Sequence, residues 1–358
     1  MKRKLTYIEL DTHAEISLSF YELSQHFEKI DVTFFLSEKI LRQLNIYDNH
    51  SNLLVSEPRI VKSQLSASHQ DMVVLGTVHR YFNVFNSIAK DYSTVALVHN
   101  RNFFEAGRWK LFTRVVSKDA VYRIKLLLVE GLLCLPSVRK NLRALYVLDK
   151  TLHQPSSAYH LLPLQYKMFD DESGTNDEFT IVVPGEVSQK RRDYIGLFEQ
   201  ISAFAKELQT NGNFLWDGKI YFRLQLVLLG RKDPKQQIQG FELLEKQIPI
   251  ITFEEKVPQE TFNYWMKRSH ILWSPIQHRT TFFSITEWYG RTKVSGNIGD
   301  AIKYGKRAVF TLLNIDSTDR LTSELLFEQS KSYDKQEYEK SKVASELENV
   351  LLRFARSL

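Results

Sequence analysis

The sequence predicts an α/β protein made of two consecutive domains, each built on a parallel sheet. Short apolar strand patterns alternate with amphipathic helical patterns along both halves of the chain, which is typical of βαβ units. The chain has 358 residues, too many for one ordinary core and enough for two domains. A polar, acidic and turn-rich stretch at residues 168–178 indicates an exposed connection between them.

The first half supplies the patterns of an N-terminal domain over residues 1–170. Apolar or β-branched runs predict strands, and apolar positions three and four residues apart predict helices. The predicted strands are residues 5–10, 32–36, 72–75 and 94–98. The predicted helices are residues 16–27, 37–44 and 81–89.

The second half repeats the alternation over residues 171–335. Its predicted strands are residues 179–183, 221–229, 248–253, 271–274 and 308–311. Its predicted helices are a long one ending near residue 209, then residues 240–247, 259–269 and 299–304. The tail, residues 335–357, has apolar residues on one side of a charged amphipathic helix. We assign residues 336–358 to a helix that packs back toward the N-terminal domain.

Composition and charge indicate which partners and which cellular location to expect. The net charge of +6 and the isoelectric point near 9.1 favour anionic partners. No RNA-recognition signature, zinc spacing or base-reading basic helix is present, so we expect no nucleic-acid partner. The single cysteine, Cys134, cannot form an internal disulfide. No apolar run approaches the ~20 residues of a membrane span, and the first residues lack a signal-peptide core, so we expect a cytoplasmic protein.

Cations follow the first predicted strand of the second half. Gly185 ends that strand, and Lys190, Arg191 and Arg192 stand where the next helix begins. A glycine lets backbone approach a ligand, and free N–H groups with cations suit a diphosphate. Cations at a helix N-terminus are disfavoured by the helix dipole, which favours a bound anion over a solvated basic turn. Arg231 follows the next strand, where a surface turn is the equal alternative.

The most informative stretch runs from residue 287 to residue 309. It is rich in glycine and carries a cation at Lys293, the pair Ser295 and Gly296, and a carboxylate at Asp300. A glycine-rich stretch that opens a helix can hold phosphates with backbone N–H groups. Asp300 can accept hydrogen bonds from ribose hydroxyls, although the helix dipole alone also favours a first-turn acid.

Residues 179–310 resemble the C-terminal nucleotide-sugar domain of GT-B glycosyltransferases. The resemblance is to the retaining family whose signature is two glutamates separated by seven residues (Glu-x7-Glu). The segment Asp300-Ala-Ile-Lys-Tyr-Gly-Lys-Arg-Ala-Val matches the second half of that signature. It implies that Asp300, in place of the second glutamate, binds the donor ribose. The first glutamate falls at Thr292, and the arginine of the family's diphosphate loop falls at Glu186, so the sugar and the stereochemistry stay open.

The same resemblance implies further roles in the site. Lys293, Ser295 and Gly296 look like a loop that contacts the donor diphosphate in some bacterial polysaccharide transferases. A second positive charge on the donor diphosphate would come from Lys190, Arg191 or Arg192. GT-B enzymes generally need no bound metal, and we expect no cofactor beyond the donor.

The first half offers candidates for catalysis. His99, at the end of a strand, resembles the family's histidine that faces the donor sugar, and a core or capping histidine is the equal alternative. His13 and Glu15 follow the first strand, where the acceptor side commonly lies in this fold. Either could be a base if the enzyme inverts, and His79 is a further candidate.

The resemblance implies a GT-B architecture, two Rossmann-like domains facing across a cleft. It also implies a glycosyltransferase of the hexosyltransferase class, with a donor such as a UDP- or GDP-sugar. The acceptor would be a glycan or a lipid-linked or protein-linked molecule of surface polysaccharide or glycoconjugate biosynthesis. A sugar-nucleotide epimerase or a phosphorylase of the same fold stays open. A non-catalytic binding or scaffold subunit also stays open, because the first glutamate is missing.

Residues 108–143 combine charge with apolar character. An apolar run at residues 126–135 stands among nine cations. Such a surface could dock peripherally on the anionic inner face of a membrane, and a core helix with solvated ends is the alternative. The nine cations are Arg108, Lys110, Arg114, Lys118, Arg123, Lys125, Arg139, Lys140 and Arg143.

Overall fold

The structure is a computed structural model, and it divides the chain into two compact units. It describes residues 2–44, 51–115, 119–153, 158–175, 177–313, 321–333 and 336–356. Lys118 and the ends of the predicted tail helix at residues 335 and 357 lie outside the described residues. The first unit comprises Met1–Gln165, Arg279–Val294 and Lys340–Leu358. The second unit comprises Tyr166–His278 and Ser295–Glu339.

Strands and helices alternate along most of the chain. The strands are β1 (Arg3–Glu9), β2 (Ile30–Leu36), β3 (Leu53–Val55), β4 (Met72–Leu75), β5 (Thr94–Leu97), β6 (Ala144–Val147), β7 (Tyr159–Leu161), β8 (Phe179–Pro184), β9 (Phe214–Trp216), β10 (Lys219–Tyr221), β11 (Leu224–Arg231), β12 (Ile250–Phe253), β13 (Ile271–Trp273), β14 (Arg279–Phe282), β15 (Ile285–Trp288) and β16 (Arg307–Val309). The helices are α1 (Ala14–Ser24), α2 (Glu38–Leu44), α3 (Val61–Ser66), α4 (Phe82–Asp91), α5 (Arg101–Phe104), α6 (Arg108–Thr113), α7 (Ala120–Leu128), α8 (Leu135–Asn141), α9 (Tyr194–Asn211), α10 (Phe241–Glu245), α11 (Gln259–Arg268), α12 (Gly296–Lys303), α13 (Ser323–Gln329) and α14 (Lys340–Arg356).

The first unit is built on a seven-stranded sheet. Its strand order is β3-β2-β1-β4-β5-β6-β7, and the paired strands are parallel. This is the order of a doubly wound nucleotide-binding sheet with one strand added at the edge. From β1 the chain adds β2 and β3 on one side of the sheet, and then β4 and the later strands on the other side. The carboxyl ends of these two strands therefore mark the switch point, where such sheets bind their ligands.

The second unit is built on a five-stranded sheet with the order β12-β11-β8-β13-β16. Its paired strands are also parallel. If these five strands are numbered 1 to 5 along the chain, their order in the sheet is 3-2-1-4-5, as in the first five strands of the other sheet. Along β8, Ile181 and Val183 face one core and Val182 faces the other. Both faces of the sheet are covered, which is why its strands are continuous apolar runs. The switch point of this sheet lies between β8 and β13.

The predicted α/β class with two Rossmann-like domains is confirmed by these two sheets. The predicted strands of the first half correspond to β1, β2, β4 and β5, and those of the second half to β8, β11, β12, β13 and β16. The helix predicted from residue 299 begins earlier, at Gly296, and the tail helix begins at Lys340. The cleft between the domains stays a prediction.

The division into units differs from the predicted boundaries at residues 170 and 335. The main difference is Arg279–Val294, which we assigned to the second domain and which belongs to the first unit. It forms the β14–β15 hairpin, and its Phe282, Phe283 and Ile285 pack into the first unit's core. The glycine-rich stretch at residues 287–309 is therefore not one loop, because the division falls between Val294 and Ser295.

The C-terminal helix α14 packs against α1 of the first unit. Its buried Glu348 carboxylate accepts hydrogen bonds from the backbone N–H groups of Lys29 at 2.6 Å and Ile30 at 3.0 Å. Lys340 forms an ion pair with Glu22 of α1 at 3.0 Å. These contacts attach the end of the chain to the start of β2.

Candidate functional site

Three histidines meet at the switch point of the first unit. His13 follows β1, His79 follows β4 and His99 follows β5, and parallel strands bring these three loops to one edge of the sheet. The rings of His13 and His99 stack, with centroids 3.9 Å apart and planes inclined by 17°. His79 meets them edge-on, at 6.1 Å from His13 and 5.8 Å from His99. The three are not arranged as a metal site, and no such site occurs in the part of the chain that the structure describes.

Hydrogen bonds fix two of the rings. His99 Nε2–H donates to the carbonyl of Gly76 at 2.8 Å, which leaves Nδ1 as an acceptor. With the amide oriented as in the structure, Asn100 Nδ2 donates to His79 Nε2 at 3.1 Å. Asn100 is buried, and its Oδ1 has no hydrogen-bond partner within the described ranges. The cluster thus contains one buried acceptor that the protein does not satisfy.

Burial keeps the three imidazoles neutral. Desolvation lowers the pKa of His13 to about 4, with smaller contributions from the charges of His79 and Lys293. Desolvation also lowers the pKa of His79 and the pKa of His99 well below the usual histidine value. A neutral imidazole is a proton acceptor at pH 7, so the cluster is a set of bases.

Lys293 lies beside this cluster, and its predicted contact with the donor diphosphate stays a prediction. A β-bridge pairs its backbone with Asn100. Its ammonium group lies 6.0 Å from the ring centroid of Phe282, and that ring lies 4.5 Å from His79. Its positive charge contributes to the lowered pKa of each of the three histidines. The structure thus brings Lys293 together with His13 and His99 in the first unit.

A buried carboxyl group, Glu9, shapes the loop that carries His13. Its Oε1 accepts from the N–H groups of Asp11 at 3.1 Å and Thr12 at 3.2 Å, and its Oε2 accepts from the Thr77 hydroxyl at 2.5 Å. Burial raises the pKa of Glu9 to about 7, although these hydrogen bonds oppose the rise. Sequence reasoning missed Glu9 because it lies inside a predicted strand, where a single acid gives no functional signal.

The candidate base Glu15 has a different environment from the histidines. It lies exposed in the first turn of α1, a position where the helix dipole favours an acid. His13 stands just before the helix with φ 62° and ψ 44°, in the left-handed region. The structure therefore gathers His13, His79 and His99, and leaves Glu15 on the surface of α1.

An open pocket of about 360 Å³ lies at the carboxyl ends of β8 and β11 in the second unit. A Cβ on Gly230 would lie 2.2 Å from the carbonyl oxygen of Gly185, and Gly185 itself has φ 96°. Both positions therefore require glycine, because the two backbones touch there. The residues lining the pocket are Gly185, Glu186, Leu229, Gly230, Arg231, Lys256 and Val257. Two cations and one carboxylate face this space.

Arg192 joins the switch-point loops of the second unit. Its Nη2 donates to the carbonyl of Pro184 at 2.7 Å and to Asn297 Oδ1 at 3.1 Å. Its Nη1 donates to the carbonyl of Glu186 at 2.9 Å, and its Nε donates to Ser274 Oγ at 3.2 Å. These bonds connect the ends of β8 and β13 with the start of α12. The guanidinium is thus a structural link at the place where we predicted a diphosphate contact.

The N-terminus of α12 lies at the same edge. Ser295 precedes the helix and Gly296 begins it, and Asn297 donates to the carbonyl of Pro184 at 3.4 Å and to Asp300 Oδ2 at 3.1 Å. A Cβ on Gly296 would meet no atom within 4 Å, so this side of the first turn is open. An anion can approach its N–H groups from there.

The remaining predicted cations lie on the surface nearby. Lys190 and Arg191 are exposed, and the carboxylate of Glu186 lies 3.9 Å from Arg191 and 4.0 Å from Arg231. The second unit therefore gathers all the predicted phosphate and ribose residues except Lys293. Sequence reasoning missed Lys256, which stands in no recognisable motif, and gave no role to Asn297, although this residue lies in the glycine-rich stretch.

No protein-family model and no curated protein sequence matches the chain. Among solved structures, the UDP-GlcNAc 2-epimerase from Neisseria meningitidis bound to UDP-GlcNAc is similar at 13% identity and a TM-score of 0.44, over 98% of this chain and 100% of that chain. The UDP-GlcNAc 2-epimerase from Methanocaldococcus jannaschii is similar at 12% identity and a TM-score of 0.49, over 98% of this chain and 99% of that chain. The lipopolysaccharide outer core galactosyltransferase WaaB is similar at 9% identity and a TM-score of 0.49, over 98% of this chain and 99% of that chain. At these values the similarities carry no inference about function.

Proposed function

We propose that the protein is a nucleotide-sugar enzyme that transfers a sugar from a nucleoside-diphosphate sugar, with the diphosphate held by the second unit. The observation that carries this proposal is the glycine-lined, cationic pocket at the carboxyl edge of a Rossmann-ordered sheet. Gly185 and Gly230 leave room for two backbones to meet at the wall of this pocket, and Arg231 and Lys256 supply positive charge. The pocket adjoins β8, one of the two strands that flank the switch point where sheets of this order bind ligands.

The open first turn of α12 supports the same assignment. Its N–H groups and helix dipole favour an anionic group. Asp300 is one turn along, and Asn297 donates to one of its carboxylate oxygens. A carboxylate at this position suits the hydroxyls of a ribose. Arg192 contributes by holding the loops together, while Lys190 and Arg191 are the exposed cations of this edge.

We assign proton transfer to the histidine cluster of the first unit. The oxygen of the acceptor hydroxyl would bond to the anomeric carbon while the hydroxyl proton passes to a neutral imidazole. We select His13 as this imidazole. The bond between that carbon and the diphosphate breaks, and the leaving group takes the electron pair. The cations of the second unit would stabilise the developing charge. The acceptor belongs, on this proposal, to a glycan or to a lipid-linked or protein-linked saccharide.

A nucleotide-sugar epimerase is the second candidate, and one observation favours it. Inverting a ring carbon requires one proton to be removed and another to be returned. Three neutral histidines, with the buried Glu9 whose pKa is raised to about 7, provide more proton-transfer groups than a glycosyl transfer needs.

Calorimetric titration with UDP, GDP and ADP tests the shared part of both candidates. We expect one of them to bind, and Arg231→Ala to weaken that binding about tenfold by removing one charged contact. Arg223→Ala is the matched control, because Arg223 precedes the same strand at its opposite end and pairs with Glu178. The absence of binding by all three nucleotides would remove the proposal.

Product analysis then separates the two reactions. A transferase releases nucleoside diphosphate from its sugar donor in proportion to added acceptor. An epimerase converts the donor to a second sugar without any acceptor. Proton exchange with deuterated water at the ring carbon accompanies only the second reaction.

A further inference from the structure

Two helices of the first unit expose an unusual number of large apolar side chains. Many of the exposed large apolar residues of the described chain lie between residues 109 and 129, on α6, on α7 and directly after α7. We call this set the α6–α7 face. Its members are Trp109, Phe112, Val121, Tyr122, Ile124, Leu128 and Val129.

The outward stripe of α7 is apolar where a surface helix is normally polar. Its inward side is anchored by Leu126, which is buried. Its outward stripe contains Val121 and Leu128, which are 86% and 75% exposed, with Ile124 and Lys125 between them. The spacing of three and four residues puts these four on one side of the helix. An exposed stripe of large apolar side chains with one lysine among them is typical of an interaction surface.

Helix α6 extends this stripe with two aromatic rings. Leu111 is buried and anchors the helix, while Trp109 is 77% exposed and Phe112 is 46% exposed. Their rings stack at 6.1 Å between centroids. Arg123 Nη1 donates to the carbonyl of Arg114 at 2.6 Å, so α7 lies directly against the end of α6.

The charges around this face are almost all positive. In residues 106–115 and 119–129 the exposed cations are Arg108, Lys110, Arg114 and Lys125, while Arg123 is buried, and the one carboxylate is Asp119. Protein partners bury surfaces that are poor in lysine. Indole and phenol rings beside apolar side chains and lysines are instead typical of the boundary between lipid head groups and acyl chains.

We propose that the α6–α7 face docks the protein on an anionic phospholipid surface. Trp109, Phe112 and Leu128 enter the head-group boundary, while Lys110 and Lys125 contact lipid phosphates. In the described chain no helix is long and apolar enough to cross a bilayer, so this contact lies at the surface. The sequence placed the apolar part of such a surface at residues 126–135. In the structure Leu126, Leu132 and Leu135 are buried in the first unit's core. Within this run Leu128 and Val129 are exposed, and the other exposed residues of the face precede it.

Co-sedimentation of the full chain with vesicles tests the proposal, and its outcome is independent of nucleotide binding. We expect binding to vesicles of phosphatidylglycerol and phosphatidylcholine, little binding to phosphatidylcholine alone, and several-fold weaker binding at high salt. The double variant Trp109→Ser/Leu128→Ser should lose most of this binding. Lys110→Glu/Lys125→Glu should weaken it at least about tenfold, because each cation near a charged membrane contributes about 1 kcal/mol.

The control variant is Ile220→Ser/Phe222→Ser at the β9–β10 hairpin of the second unit. These residues are 53% and 66% exposed, so the variant removes a similar amount of exposed apolar surface elsewhere. It should bind vesicles like the original chain. All of the substituted residues are exposed, and unchanged thermal unfolding verifies that the variants fold. Absent binding to anionic vesicles, or equal loss in the control and the Trp109→Ser/Leu128→Ser variant, would overturn the proposal.

Discussion

The imidazole rings of His13 and His99 lie face to face, 3.9 Å apart between centroids, although they come from loops distant in the sequence. The sheet order explains their meeting. Strand β4 lies between β1 and β5, and all three end at the same edge, so the loops after them converge. Two stacked imidazolium ions would repel each other, and burial together with the charge of His13 lowers the pKa of His99. Protonation of the pair is therefore disfavoured.

Activity should depend on His13 more than on any other exposed or half-exposed histidine. We expect His13→Asn to lower kcat about 10²- to 10⁴-fold, the usual contribution of a general base, with little change in nucleotide affinity. Asparagine suits this position because it tolerates the left-handed backbone at φ 62° better than most residues. In the original chain, activity should fall below a pH near 4, because the pKa of His13 is lowered to about 4.

His26→Asn is the matched control for this measurement. His26 is exposed just after α1, so the same substitution there should leave kcat unchanged. Steady-state kinetics over a pH series, with nucleotide affinity measured separately, gives both quantities. Full activity of His13→Asn would exclude this residue as the base.

The buried Glu9 should make stability depend on pH in the direction opposite to that of an ordinary acid. Burial raises its pKa from 4.5 to about 7, so the folded state binds more protons than the unfolded state between these values. Its contribution to the free energy of unfolding is therefore fully present below pH 4.5 and is lost as the pH rises through 7. The loss is on the order of 3 kcal/mol, since each pKa unit corresponds to about 1.4 kcal/mol.

The variant Glu9→Gln isolates this contribution. Glutamine keeps an acceptor for the Asp11 and Thr12 N–H groups, and its amide can donate to the Thr77 hydroxyl. Urea unfolding of both proteins from pH 4 to pH 8 should show the variant gaining stability relative to the original chain as the pH rises. The histidines contribute equally to both proteins and cancel in the difference. A difference that is constant with pH would contradict the raised pKa.

Arg192 should matter for the stability of the second unit. Its guanidinium donates to two backbone carbonyls and to Ser274 and Asn297, and Arg192→Ala leaves these acceptors without their donor. We expect the free energy of unfolding to fall by about 3 kcal/mol, because hydrogen bonds from charged groups are the stronger ones. Arg191→Ala is the neighbouring control and should change it by less than about 0.5 kcal/mol, since Arg191 is exposed. Equal effects in urea unfolding would show that the Arg192 bonds are not structural.

The sequence predicted the central strands well and the peripheral elements poorly. Strand β8 was predicted almost to the residue, because a run of apolar residues without a breaker is what a strand buried on both faces requires. The β14–β15 hairpin was missed. Its turn places Phe283 and Ser284 at φ 51° and 56°, a conformation usually signalled by asparagine or glycine, and neither is present.

The candidate site was predictable only in parts, for a related reason. Each of His13, His79 and His99 was identifiable from its place after a strand, but their convergence follows from the strand order, which local patterns do not contain. Lys293 was grouped with Gly296 because the two are near in sequence. Its position beside the histidines was not predictable, since it depends on the core of the first unit taking up the hairpin that ends shortly before Lys293.

The attachment of α14 depends on the buried carboxylate of Glu348. One of its oxygens accepts from both the Lys29 and the Ile30 N–H groups, so Glu348→Ala leaves two donors at the start of β2 unsatisfied. Each buried unsatisfied donor costs about 1–3 kcal/mol, and we expect Glu348→Ala to destabilise the docked helix by about 2–4 kcal/mol. Hydrogen exchange of the α14 amides should accelerate accordingly, because the helix opens more often without this anchor.

Two variants make this last measurement specific to the hydrogen bonds. Glu348→Gln keeps the accepting oxygen and should lose much less protection than Glu348→Ala, since only the charge is removed. Glu346→Ala removes an exposed glutamate from the same helix and should leave the α14 amides as protected as before. If Glu346→Ala accelerates exchange as much as Glu348→Ala, then helix propensity and not the contact with β2 determines how α14 is held.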